Sequence, residues 1–200
     1  MKTIKRIGSV FLLLAAMLWM TACSDMTDGK TFYERAMEKI PLPKGCSEWK
    51  YLPNDYDGDG KIEVFAFGGE ENNENSSPAW TNIQFYYIDS QGTVKKMNFD
   101  QYFCGAPIGT ETFNQREFKD AYLAVGKQTY VRIYGGRESC GYELIYSVYG
   151  GKPTESSVDG GIDAVTKDGY VIGSSESEFS DIYVSKNGRL EFVKSIYTGN

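Results

Sequence analysis

The chain has 200 residues, a formal net charge of −6, 41% hydrophobic residues and no histidine. The acidic balance excludes broad nucleic-acid contact, because phosphates demand basic patches. The missing histidine excludes Ser-His-Asp and Cys-His catalysis and histidine-ligated zinc or iron.

The first residues are basic: Lys2, Lys5 and Arg6. An apolar run from Val10 to Met20 follows, too short to cross a ~30 Å hydrocarbon core comfortably as a helix. A charged start, a short apolar stretch and small residues before a cut site form a secretory signal. Met20-Thr21-Ala22-Cys23 resembles the lipobox of bacterial lipoproteins, with Met20 where Leu is usual. The resemblance implies cleavage after residue 22 and lipid on Cys23. It also implies an exported protein of the cell envelope, periplasmic or at the cell surface, held to a membrane by its acyl chains. Several chains hold stably where one holds only marginally. Losing the leader, with its three cations, takes the net charge from −6 to −9. Residues 23–30 then form a short polar tether, and residues 31–200 suit a single domain with a sizeable core.

Thr31 to Ile40 reads as a short helix. Thr31 and Glu34 have the spacing of a capping box, Phe32, Ala36 and Ile40 share a face, and Pro41 and Pro43 stop it. The helix is expected to lie as a lid on a β domain.

Beyond Glu48, short apolar runs alternate with turn residues. Strands are expected over 62–67, 83–88, 93–99, 128–134, 142–149, 170–172, 182–185 and 190–196. Ser90-Gln91-Gly92, Gly150-Gly151 and Asn187-Gly188 are hairpin turns between them. Residues 70–78 read as a polar loop, and a further helix is expected near 114–122. Glu63-Val64-Phe65-Ala66-Phe67-Gly68-Gly69 aligns with Tyr130-Val131-Arg132-Ile133-Tyr134-Gly135-Gly136. Gly169-Tyr170-Val171-Ile172-Gly173 is a weaker third copy. The fold class is therefore mainly β: an antiparallel meander of blade-like hairpin repeats, open, partly propeller-like or sandwich-like, with a short N-terminal helix. Generic hairpins would give the same match. Fifteen Tyr, eleven Phe and three Trp suit pleated, half-buried surfaces, and they also suit an aromatic binding face. Cys46, Cys104 and Cys140 allow one disulfide, with the pairing open among them.

One constellation carries chemistry. Asp55, Asp57, Asp59 and Glu63 stand at positions one, three, five and nine of a loop, with Gly60 at the turn and the Lys61 carbonyl at position seven. Calcium takes six to eight hard oxygens at about 2.3–2.6 Å, and a curled loop of this spacing supplies most of them. An EF-hand would need a glutamate at position twelve, where Ala66 stands. The loop is more similar to the calcium loop of FG-GAP-type repeats, in which it joins two strands. That resemblance implies one structural calcium ion. The corresponding stretches, Val125-Gly126-Lys127-Gln128 and Lys167-Asp168-Gly169, lack the set of four acids.

The expected function is a non-catalytic, calcium-stabilised binding or interaction module on a lipid anchor, with a glycan or protein ligand. The alternatives are a structural envelope protein or a glycoside hydrolase working with two carboxylates. Glu111, Glu117, Asp120, Glu138, Glu143 and Asp163 would be the pool for the latter.

Overall fold

A computed structural model describes residues 29–72, 79–98, 122–137, 140–174 and 178–199. The signal segment, Cys23, Cys104 and the stretch expected to be helical over 114–121 lie outside them.

One helix opens the described chain. α1 (Phe32–Met37) has its capping box formed: Glu34 N donates to Thr31 Oγ1, and Thr31 N donates to Glu34 Oε2 at 2.6 Å. Twelve strands follow. They are β1 (Lys50–Asn54), β2 (Glu63–Asn72), β3 (Ala79–Ile88), β4 (Val94–Lys96), β5 (Tyr122–Val125) and β6 (Gln128–Arg137), then β7 (Cys140–Tyr149), β8 (Lys152–Asp159), β9 (Gly161–Val165), β10 (Tyr170–Ser174), β11 (Phe179–Lys186) and β12 (Arg189–Tyr197).

Each run of four consecutive strands forms one antiparallel sheet, β1–β4, β5–β8 and β9–β12. The repeat expectation is met in a particular way. β2, β6 and β10 each occupy the second position in their sheet, so the three aligned segments are structural equivalents. The sheets are open rather than closed into a barrel.

Strand alternation sets the layers, since successive side chains point to opposite faces. Phe65, Phe67, Phe85 and Tyr87 of the first sheet pack against Val131, Ile133, Tyr146 and Val148 of the second. Tyr130, Ile145 and Val158, on the second sheet's opposite face, meet Val171, Tyr183 and Leu190 of the third. Val64, Ala66 and Ile88 cover the first sheet's outer face, where Phe32, Ala36, Met37 and Ile40 dock. The expected lid is thus present, and the order of layers is helix, first sheet, second sheet, third sheet. Burying each large apolar side chain stabilises by ~1.5–3 kcal/mol. Phe65, Phe67, Phe85, Tyr56, Tyr130 and Tyr146 are all fully buried.

Several expectations need correction. Residues 70–72 extend β2 rather than beginning a loop. Tyr122, expected at a helix end, starts β5. β1, β5, β8 and β9 had no counterpart among the expected strands. The Asn187-Gly188 hairpin forms as expected, with φ of 51° and 72°. Among the described residues no helix is long and apolar enough to cross a membrane.

Candidate metal centre

The acidic loop, residues 55–62, connects β1 to β2. Its anchor is Tyr56, whose ring is fully buried and meets Phe65 edge-on at 5.0 Å. The Tyr56 hydroxyl donates to Leu52 O at 2.7 Å. With that side chain in the core, the chain curls so that Asp55 and Asp57 come together with Glu63.

Asp55 folds the loop onto itself. Its two carboxylate oxygens accept from Asp59 N and Gly60 N, each at 3.0 Å. Gly58 (φ 71°) and Gly60 (φ 87°) supply the left-handed backbone this needs. Gly58 is doubly constrained. A β-carbon there would lie 3.0 Å from Lys127 O in the β5–β6 turn.

Glu63 opens β2 opposite Asn54. It is only 2% exposed, and its Oε2 accepts from Tyr56 N at 3.3 Å. Asp57 reaches between the sheets: its Oδ2 accepts from Gly151 N at 3.4 Å. Its Oδ1 is buried and has no hydrogen-bond partner.

The structure therefore brings Asp55, Asp57 and Glu63 together, with one carboxylate oxygen from each lying within 4.8 Å of the others. Asp59 faces elsewhere. Its Oδ1 accepts from Lys61 N at 2.9 Å, and its Oδ2 pairs with Lys61 Nζ at 2.6 Å. That contact holds the Asp59 carboxyl below its ordinary value. Lys61 is exposed, and its side chain serves Asp59 rather than the cluster.

Electrostatics mark the cluster as strained. Burial, and then the charges of Asp57, Asp59 and Asp55, push the Glu63 carboxyl up to about 7, against the hydrogen bond from Tyr56 N. Like charges in a low-dielectric site favour the neutral form unless a cation compensates them.

The residues fit a hard divalent cation. Every donor is a carboxylate oxygen, the chain has no histidine, and among the described residues no cysteine joins the group. An unpartnered buried carboxylate oxygen costs free energy that coordination would recover. Three carboxylates leave room for backbone carbonyls, water or a rotated Asp59 to complete the shell.

The second sheet's part in this site was not legible in the sequence. Tyr56 O accepts from Thr129 N and from Gln128 Nε2, both at 2.8 Å. Gly151 N comes from the β7–β8 turn. The only signal was the glycine content of those two turns.

The other acids have different surroundings. Glu143 is 5% exposed and paired with Arg132. Asp163 is exposed. Glu111, Glu117, Asp120 and Glu138 lie outside the described residues. Cys46 is a free thiol that donates to Glu48 O at 3.0 Å.

Comparison with protein-family models, with curated proteins and with solved structures gives no match.

Proposed function

We propose that this chain is an exported, lipid-anchored, non-catalytic binding or interaction module whose β domain is stabilised by one calcium ion. Asp55, Asp57 and Glu63 hold the ion, with Asp59 and the Lys61 carbonyl as candidates for the remaining positions. The carrying observation is the gathering of three carboxylates within 4.8 Å of one another, one of which, Asp57, has a buried, unpartnered Oδ1.

The ion's role is structural. It neutralises a charge cluster between the first two sheets and stiffens the loop that joins β1 to β2. A ligand present at 100 times its dissociation constant stabilises a fold by ~2.7 kcal/mol, a large share of a marginal total.

The anchor rests on the signal pattern and on Cys23. The binding role rests on what the third sheet leaves open. Phe179, Phe192 and Tyr197 are about half exposed, and Phe179 and Tyr197 stand edge to face at 5.4 Å. Aromatic surfaces of this kind suit a glycan or a protein partner.

The test is a pair of thermal melts, one in calcium and one in chelator, on wild type and on Asp57→Ala. The wild type melts several degrees higher in calcium, and the variant shows no difference. Identical wild-type curves remove the ion from the account.

A further inference from the structure

The acidic loop belongs to the first sheet by sequence, yet its hydrogen bonds reach the second. Tyr56 O takes Thr129 N and Gln128 Nε2. Gly58 lies directly against Lys127. Gly151 N donates to Asp57, and Gly151 O accepts from the Tyr87 hydroxyl of β3 at 3.3 Å. The two turns at one end of the second sheet, β5–β6 and β7–β8, thus both meet this loop.

Asp57 is where the loop's two tasks join. One of its oxygens accepts from Gly151 N, and its carboxylate also lies in the cluster with Asp55 and Glu63. Its neighbours are held more firmly. Asp55 takes two backbone amides, while Glu63 is 2% exposed and takes Tyr56 N at 3.3 Å. Asp57 has one long bond, at 3.4 Å, and is the member of the trio best able to swing out when the three charges repel.

We propose that Asp57 is a latch between the sheets: with calcium bound, its carboxylate is fixed and keeps the β7–β8 turn and the β5–β6 turn docked on the loop. The inference rests on the calcium reading above and adds a consequence to it. Occupancy controls order at the edge between two sheets, not merely within one loop. Coupling of this kind is reciprocal. Whatever presses the second sheet's turns onto the loop also tightens the ion.

The experiment is hydrogen exchange on the full chain in mild detergent, in calcium and in chelator, beside calorimetric titration with calcium. The latch predicts about tenfold slower exchange at Gly151 and Thr129 when calcium is present. Amides of β11 and β12 in the third sheet change far less. Asp57→Asn keeps an oxygen for Gly151 but loses the charge, and the calcium effect on both amides disappears. If calcium binds and slows exchange only within residues 55–63, the latch is overturned while the ion stands. If titration shows no binding, both fall. Wild type alone decides these outcomes, so a variant that fails to fold does not spoil the test.

Discussion

Arg132 of β6 grips Glu143 of β7 with two hydrogen bonds, Nε to Oε2 at 2.7 Å and Nη2 to Oε1 at 2.6 Å. The pair lies on the second sheet's face toward the third. Glu143 Oε1 also accepts from Ile162 N at 3.1 Å, and Arg132 donates to Ile162 O at 3.2 Å. Both side chains thereby clip β9 onto the second sheet. Removing Arg132 leaves the Glu143 carboxylate, whose side chain is 7% exposed, buried and uncompensated, which costs about 3–5 kcal/mol. Arg132→Met should lose that much in a denaturant titration. Replacing the pair together, as Arg132→Met with Glu143→Leu, should cost less than the single change.

The carboxylates of the acidic loop should separate by role. Asp57→Asn removes charge from an oxygen that has no other partner, and calcium affinity should fall by more than tenfold. Asp59→Asn acts on a group already engaged by Lys61, and the loss should be only a few-fold. Titration calorimetry of the two variants beside wild type checks the order. Equal losses would mean that Asp59 turns inward in the bound form.

Glu63 predicts a pH dependence. Its carboxyl sits near 7 in the fold against an ordinary value near 4.5. A raised value means the folded protein holds a proton that the unfolded chain has released. Without calcium, the stability contributed by that proton is fully present below about 4.5. It is lost as pH rises through about 7. Calcium replaces the proton, so its affinity should rise across the same window. Melting temperature against pH in chelator measures the first effect, and Glu63→Gln should flatten it.

Gly58 gives a steric prediction. Alanine there meets a left-handed backbone and Lys127 O at 3.0 Å. Gly126, with φ 64° and open space around it, meets only the first obstacle. Gly126→Ala should cost ~1–2 kcal/mol, and Gly58→Ala should cost more, as read by denaturant midpoints.

The strands that were legible and those that were not differ in physical position. β2, β6 and β10 are central in their sheets, and their apolar residues mark them. β1 and β8 are edge strands carrying Pro53 and Pro153, residues that sequence patterns count against strands but that edges tolerate. β8 is otherwise polar, with Val158 its buried hydrophobic residue. A strand paired on one side and half in water shows little periodicity. The helix was readable because its capping box is local. At the candidate site, the acidic spacing was readable for the same reason. The turning of Asp59 toward Lys61 was not, because nearby lysine contacts leave no trace in loop spacing. Nor was the approach of Gly151 to Asp57, two residues that only the packing of one sheet on another brings together.

Anchoring has its own check. Cys23→Ser should move the protein from the membrane fraction to the soluble fraction of fractionated cells. Retention in the membrane fraction would mean that something other than lipid on Cys23 holds it there.

The most direct test of the ion is a calorimetric titration of the chain with calcium, at a pH above the Glu63 carboxyl's own value. The trio of Asp55, Asp57 and Glu63 predicts saturation at one ion per chain, lost in Asp57→Asn. No saturable heat, or the same isotherm in that variant, would contradict it.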